Sequence, residues 1–323
     1  MKKKILAYRR LEQPVYDRLA KDYDVRLFVD PENDSDFPEF LREAEGVIGI
    51  GFPGNAVILD KAPNLKIISN VSVGYNNLEL ADLTKHGVMG THTPGVLDDT
   101  VADMAMGLML ATARRMPELD GYVKRGLWKG LLPNEWYGVD VHHKTLGIIG
   151  MGRVGSAIAK RARFGFDMDI LYHTRTRKPE AEERFDASYR DLDDLLKESD
   201  YVLLVIPLTE ETRGMIGSEQ FRLMKSSAIF LNISRGGTII EEDLIDALQQ
   251  NEIAAAGLDV FAQEPVDPKN PLLQMKNVVT LPHIGSSTHE TEVAMAHLAA
   301  DNLIAGIEGK RPANLLNLNV LGR

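Results

Sequence analysis

The 323-residue sequence contains no cysteine. Disulfides, thiolate metal sites and cysteine nucleophiles are therefore excluded. Basic residues are also fewer than acidic ones. The chain has 37 Lys and Arg and 47 Asp and Glu, which give a net charge of −10. A surface of that sign disfavours nucleic acid and anionic membranes, so we expect neither as a partner. An anionic ligand would need a local positive site.

Long apolar runs are missing as well. The longest, residues 104–113, is far shorter than the ~20 residues that span a bilayer. The basic residues at the N-terminus are not followed by an apolar signal segment. The eight histidines show no metal-ligand spacing. We therefore expect a cytoplasmic protein with no metal site.

Short apolar runs alternate with segments of helical spacing, and this order appears twice along the chain. The predicted strands are 5–8, 25–29, 46–50, 67–71, 146–149, 170–172, 201–206, 228–233, 255–260 and 278–281. The predicted helices include 12–21, 37–44, 100–115 and 290–307. Strands that alternate with helices and are apolar almost throughout are typical of parallel sheets covered on both faces. The pattern predicts an α/β protein with two parallel-sheet domains.

A glycine pattern, G-x-G-x-x-G, links the predicted strand 146–149 to a helical segment. In this context Gly150 allows a tight turn, Gly152 lets the backbone approach a pyrophosphate, and Gly155 lets helix and strand pack closely. Arg153 and Val154 lie inside the pattern, at the start of the helix. The pattern predicts a dinucleotide-binding turn, and a plain glycine-rich turn is the alternative.

The residues after the next strand bear on which dinucleotide is bound. Enzymes that use NAD usually place an acidic residue there, on the ribose 2′-hydroxyl. Here that position reads Arg175-Thr176-Arg177, and Asp167 and Asp169 lie at the opposite end of the strand. Cations suit a 2′-phosphate because charge-assisted hydrogen bonds are strong. We expect NADP(H) to be preferred, with NAD(H) possible.

Three polar residues follow three successive predicted strands. Arg235 precedes two glycines, Glu264 precedes Pro265, and His283 lies between Pro282 and a short glycine-containing loop. Each alone has an ordinary structural explanation. Because ligands bind at the carboxyl ends of strands in such sheets, the set predicts a catalytic site. Arg235 suits a carboxylate, and His283 with Glu264 suits acid–base chemistry.

The segment 100–115 is apolar almost all round, which is typical of a helix buried in a core or at an interface. The sequence leaves both interpretations open.

Four motifs occur together: the glycine turn, Asn-Ile-Ser-Arg-Gly-Gly at 232–237, Gly-Leu-Asp-Val-Phe at 257–261 and Pro-His-Ile-Gly-Ser at 282–286. Together they resemble the D-isomer-specific 2-hydroxyacid dehydrogenase family. The segments 136–147 and 225–230 are similar to its glyoxylate/hydroxypyruvate and 2-ketogluconate reductase branch. The resemblance implies a Rossmann-type cofactor domain, residues 100–285, inserted into a flavodoxin-like substrate domain formed by 1–99 and 286–323. It also implies a homodimer that assembles through the cofactor domains.

The resemblance assigns further roles. The backbone N–H groups of Val73 and Gly74 would bind the substrate carboxylate. Thr100 and Pro207 would lie at the cofactor, and Asp259 would hold the nicotinamide carboxamide.

The expected activity is NADPH-dependent reduction of a small 2-keto acid such as glyoxylate, hydroxypyruvate or 2-ketogluconate. Arg235 would bind the substrate and polarise its keto group, His283 would donate a proton, and Glu264 would orient His283. Phosphoglycerate is an alternative substrate. Formate is disfavoured, because formate enzymes of this kind resemble the pattern with Gln in place of Glu264. A non-catalytic dinucleotide-sensing protein of the same fold is the alternative from a different class.

Overall fold

The computed structural model describes residues 2–322. The strands are β1 Lys4–Tyr8, β2 Asp24–Phe28, β3 Gly46–Gly49, β4 Ile67–Asn70, β5 Met89–Thr91, β6 Thr145–Ile149, β7 Asp169–His173, β8 Ser188–Tyr189, β9 Tyr201–Leu204, β10 Ile229–Asn232, β11 Ala255–Leu258 and β12 Val278–Thr280. The helices are α1 Gln13–Ala20, α2 Phe37–Glu43, α3 Ala56–Leu59, α4 Leu80–Lys85, α5 Asp98–Ala113, α6 Met116–Lys124, α7 Arg153–Phe166, α8 Pro179–Phe185, α9 Leu192–Glu198, α10 Ser218–Leu223, α11 Glu241–Gln249 and α12 His289–Ile307.

The first of two compact units combines both ends of the chain, up to Leu97 and from Ser286 onwards. Its five strands are parallel and lie in the order β2-β1-β3-β4-β5, a doubly wound order. Helix α12 packs on this sheet, where a Cβ at Gly46 would lie 2.8 Å from the side chains of Leu303 and Ile307. The C-terminal helix therefore completes the core of a sheet built from the N-terminal residues.

The second unit, Asp98–Gly285, contains seven parallel strands in the order β12-β11-β10-β9-β6-β7-β8. The strand order reverses between β6 and β9, which makes their carboxyl ends the expected ligand-binding edge. Helix α5 contributes buried residues such as Met109 to the core on one face, and Phe221 lies in the core on the other. Most of the central strand residues are buried.

The predicted α/β architecture with two parallel sheets is confirmed. Strands β5 and β8 were not predicted, because they have only three and two residues and contain no apolar run. Strand β9 ends at Leu204 and β11 at Leu258, two residues earlier than predicted. Met1 and Arg323, which the predicted domains include, lie outside the described residues. Within residues 2–322 no helix is long and apolar enough to cross a membrane.

Candidate active site

Arg235, Glu264 and His283 follow three neighbouring strands of the second sheet. Strand β11 pairs with β10 on one side and with β12 on the other, all parallel. Each of the three residues comes a few positions after the carboxyl end of its strand. The fold therefore places the three predicted catalytic residues along one edge of the sheet.

Glu264 and His283 form a hydrogen-bonded pair. Nδ1 of His283 lies 2.7 Å from Oε2 of Glu264, and Oε1 accepts a hydrogen bond of 3.1 Å from the N–H of Phe261. Burial raises the pKa of Glu264, but the hydrogen bonds from His283 and Phe261 lower it more, so the pKa lies below its ordinary value. Because an ionised carboxylate only accepts, Nδ1 carries a hydrogen and Nε2 remains for a ligand.

The backbone of His283 adopts an unusual conformation. Its φ angle is +54°, in the left-handed region that non-glycine residues seldom occupy and that costs on the order of 1–3 kcal/mol. The side chain is 41% exposed, so its proton can exchange with solvent. The turn thus presents an accessible imidazole next to a carboxylate, as general acid–base chemistry requires.

Asp259 fixes the residues that follow His283. One oxygen of this buried carboxylate accepts from the N–H of Ile284 at 2.8 Å, and the other accepts from Gly285 at 3.0 Å. Burial raises the pKa of Asp259 above its ordinary value, although these N–H groups and His283 oppose the shift. In this structure Asp259 therefore binds the His283 turn; its predicted contact with the nicotinamide stays a prediction.

Arg235 is half-buried and held by its own loop. Its Nη1 donates to the carbonyl of Ser234 at 2.7 Å, and its carbonyl accepts from the hydroxyl of Thr238 at 2.6 Å. Burial lowers the pKa of Arg235, and the charges of Glu264 and Asp259 oppose that shift. A guanidinium stays charged in proteins. The site therefore offers a partly desolvated cation, which is suited to a carboxylate or a carbonyl oxygen.

Gly236 is a packing constraint beside the site that the sequence reasoning did not identify. A Cβ there would lie 1.8 Å from the carbonyl oxygen of Phe261, so only glycine lets the Arg235 loop approach the Glu264 loop. The double glycine at 236 and 237 was the available signal in the sequence.

The glycine turn has the geometry of a dinucleotide site. Gly150 has φ +111°, and a Cβ on it would lie 2.4 Å from the carbonyl of Val205. A Cβ on Gly155 would lie 2.1 Å from the carbonyl of Gly150, whereas nothing lies within 4 Å of one on Gly152. Helix α7 begins at Arg153, directly after Gly152, and includes Gly155. Open space in front of a helix N-terminus suits a pyrophosphate, so the residues fit the predicted cofactor.

The other predicted cofactor residues lie in the same unit as this turn. The exposed Arg153 places Nε 3.6 Å from the carboxylate of Asp98, and Val154 packs on the core. Thr100 lies in the first turn of α5, and Pro207 follows β9. Their contacts with a cofactor stay predictions.

The two arginines after β7 differ in their environment. Arg177 pairs with Glu182 through two hydrogen bonds of 2.9 Å. Arg175 is exposed and takes part in no ion pair among residues 2–322. The carbonyl of Thr176 accepts from the hydroxyl of Thr174 at 2.8 Å. Arg175 is therefore the better candidate for a phosphate, a distinction that the sequence did not provide.

Val73 and Gly74 lie in the first unit, in the loop after β4. Within the part of the chain that the structure describes, no hydrogen bond from their backbone N–H groups is present. Two adjacent free N–H groups can bind an anion.

A glycine turn at the switch point of a parallel sheet, with an arginine and a histidine–carboxylate pair along the same edge, defines a dinucleotide-dependent oxidoreductase. Comparison with known proteins identifies its family. Residues 106–285 match the family described as D-isomer specific 2-hydroxyacid dehydrogenase, NAD binding domain. The chain belongs to this family.

Similar proteins cover almost the whole chain. Glyoxylate/hydroxypyruvate reductase B of Escherichia coli strain K12 is 50% identical over 322 residues, 99% of each chain. A crystal structure of the NADPH-dependent glyoxylate/hydroxypyruvate reductase of Sinorhizobium meliloti, in complex with NADP and malonate, has a TM-score of 0.87 and 30% identity over 99% of this chain and 98% of the other. D-lactate dehydrogenase of Aquifex aeolicus, complexed with NAD and lactic acid, has a TM-score of 0.87 and 26% identity over 97% of this chain and 99% of the other.

Proposed function

We propose that this enzyme reduces small 2-keto acids, with glyoxylate and hydroxypyruvate as substrates and 2-ketogluconate as a third candidate, and that it prefers NADPH. The observation that carries the proposal is the 2.7 Å hydrogen bond between Glu264 and His283. Glu264 follows strand β11, which pairs with the strand β10 that positions Arg235. The names of the similar reductases support the choice of substrates.

In the proposed reaction the guanidinium of Arg235 binds the substrate carboxylate. In the first unit, the N–H groups of Val73 and Gly74 are the proposed carboxylate-binding groups. Arg235 also polarises the keto oxygen. When bound, the reduced nicotinamide supplies the hydride for the keto carbon. His283, protonated on both nitrogens and held through Nδ1 by Glu264, gives its Nε2 proton to the oxygen that becomes the hydroxyl. Solvent then reprotonates the exposed imidazole.

The preference for NADPH rests on the cations after β7. Arg175 is exposed and outside the ion pairs of the described residues, whereas the charge of Arg177 is balanced by Glu182. A 2′-phosphate would bind Arg175 without breaking an existing pair, and the hydroxyl of Thr176 adds a donor.

We also propose a homodimer, formed through the second unit. Large apolar side chains lie exposed between α6 and β6, in a segment with little regular structure. They include Leu127 at 48%, Trp128 at 63%, Leu131 at 100% and Tyr137 at 60% exposure. Large exposed apolar side chains concentrated in one segment are typical of a protein–protein interface. A second copy is the proposed occupant because an isologous contact would bury this segment of both copies. Helix α5 itself mainly serves the core.

The test is a turnover assay that follows the loss of NADPH with glyoxylate, hydroxypyruvate and 2-ketogluconate, and with 3-phosphohydroxypyruvate as the alternative. We expect turnover with the first three and little with the phosphorylated compound. The His283→Asn variant serves as the inactive control, because asparagine tolerates the left-handed backbone. Absence of turnover with every keto acid would support the dinucleotide-sensing alternative instead.

A further inference from the structure

The loop that carries Val73 and Gly74 is fixed by hydrogen bonds to its carbonyl groups. Three successive carbonyl groups of this loop each accept a hydrogen bond from a residue outside the loop or at its start, and that of Gly74 also accepts one from the hydroxyl of Ser72. The pairs are Thr93 N with Ser72 O at 2.9 Å, His92 Nδ1 with Val73 O at 2.9 Å, and Asn70 Nδ2 with Gly74 O at 2.9 Å. All of these residues belong to the first unit, so the arrangement is complete within it.

These bonds determine where the N–H groups of the loop point. In a planar trans peptide the C=O of one residue and the N–H of the next point in opposite directions. The bond from Thr93 to the carbonyl of Ser72 therefore aims the N–H of Val73 away from Thr93. In the same way, the bond from His92 to the carbonyl of Val73 aims the N–H of Gly74 away from the imidazole. Two adjacent N–H groups are thus left facing outwards.

The two side chains that donate are themselves well fixed. Because a carbonyl only accepts, Nδ1 of His92 must carry a hydrogen. The ring of His92 meets Tyr75 edge-on, with centroids 5.6 Å apart. Asn70 is 1% exposed and exchanges two hydrogen bonds, of 3.0 and 3.2 Å, with the amide of Asn77. Neither donor can move without breaking a second contact.

We propose that His92 and Asn70 are positioning residues for the substrate carboxylate. His92 orients the N–H of Gly74, and Asn70, together with the hydroxyl of Ser72, fixes the peptide on the other side of Gly74. Neither side chain is assigned a contact with substrate; both act through the backbone that binds it. The proposal rests on the proposed function, in which this loop binds a carboxylate.

The experiment uses oxamate, an unreactive carboxylate analogue of the keto acids, added to the full-length enzyme with NADPH. In His92→Phe, which keeps a ring against Tyr75 but removes the donor, we expect oxamate affinity to fall about tenfold or more and the KM for glyoxylate to rise equally. The KM for NADPH should stay within twofold. His92→Asn, which can place an amide N–H near the position of Nδ1, should restore most of the affinity.

His86→Phe is the matched control, because Nδ1 of His86 also binds a backbone carbonyl of this unit, that of Asp82, at 2.8 Å. It should bind oxamate like the wild type. Asn70→Asp, which turns an oxygen towards the carbonyl of Gly74, should repeat the loss, whereas Asn317→Asp, at another buried amide of the unit, should not.

Wild-type affinity in both His92→Phe and Asn70→Asp would overturn the positioning role while leaving the proposed function intact. An equal loss in the two controls would also overturn it. If the wild-type enzyme neither reduces keto acids nor binds oxamate, the proposed function fails, and this proposal fails with it.

Discussion

Glu264 holds His283 through a 2.7 Å hydrogen bond to Nδ1, while the second oxygen of the same carboxylate is held by the N–H of Phe261. Both oxygens of the Glu264 carboxylate are therefore fixed, and the carboxylate in turn fixes the imidazole. A catalytic group that is already oriented loses little entropy when the substrate binds.

The first prediction concerns this carboxylate. In Glu264→Gln the side-chain NH₂ must face either His283 or the N–H of Phe261, and both are donors. We expect kcat to fall on the order of 10²-fold, with the KM for NADPH unchanged, in steady-state assays with glyoxylate. Glu241→Gln is the control, because Glu241 also accepts from a backbone N–H of this loop, that of Ala262. A wild-type kcat in Glu264→Gln would exclude the orienting role.

The second prediction concerns Arg235. Arg235→Lys keeps the charge but loses the planar pair of donors. We expect kcat/KM for glyoxylate to fall roughly 30-fold, which corresponds to a loss of about 2 kcal/mol in transition-state stabilisation. KM should rise and kcat should fall together. Arg213→Lys, at an exposed arginine of the same unit, should behave like the wild type. A change confined to kcat would mean that Arg235 does not bind the substrate in the ground state.

The third prediction separates the two arginines after β7. Because Arg177 is already paired with Glu182, Arg175→Ala should raise the KM for NADPH about tenfold or more and leave the KM for NADH unchanged. Arg177→Ala should have a smaller effect. The two nucleotides are compared in initial-rate assays with glyoxylate. If both variants retain the wild-type ratio of the two KM values, the assignment of the 2′-phosphate site is wrong.

The fourth prediction concerns the exposed apolar segment. Leu131→Glu places a charge at a side chain that is fully exposed in the single chain. We expect the dimer to dissociate into monomers in sedimentation-velocity experiments at micromolar concentration. Val57→Glu, at a 66% exposed residue of the first unit, should leave the dimer intact. Dissociation in both variants, or in neither, would contradict this interface.

The fifth prediction concerns pH and stability. Burial raises the pKa of Asp200, but Lys225 at 2.8 Å and the N–H of Thr145 lower it more, so the pKa lies below the ordinary 3.8. A depressed pKa stabilises the fold above the unfolded-state pKa, and this stabilisation is lost as the pH falls through the folded-state pKa.

Asp200→Asn should therefore lower the free energy of unfolding at pH 7 by about 1 kcal/mol, and the difference should shrink below about pH 4. Urea denaturation at both pH values measures it. Asp186→Asn, at an exposed carboxylate, should change little. A deficit that is the same at both pH values would show that the charge of Asp200 is not what stabilises the fold.

The order of the strands in the sequence was sufficient to predict that the proposed catalytic residues lie close together. Carboxyl ends of parallel strands share one edge of a sheet, so Arg235, Glu264 and His283 had to lie near one another once three consecutive strands were recognised. The contacts that depend on side-chain packing could not be predicted from the sequence. The sequence could not show that Glu182, from helix α8, neutralises Arg177, or that Gly236 lies against the carbonyl of Phe261.

The loop that carries Val73 and Gly74 shows the same limit. In our proposal its N–H groups are oriented by His92, some twenty residues further along the chain, and only the pairing of β4 with β5 brings the two segments together. Strand β5 is three residues long and includes a glycine, so its apolar pattern is too short to predict this pairing.

The position of helix α12 at the end of the chain has a consequence for the order in which the two units fold during synthesis. Its buried residues complete the core of the first sheet, yet it is synthesised only after the whole second unit. During translation the first ninety-seven residues therefore emerge early and lack the helix that covers their sheet, while Asp98–Gly285 is continuous and can fold as it appears. The unit that binds the substrate carboxylate in our proposal is begun first and finished last.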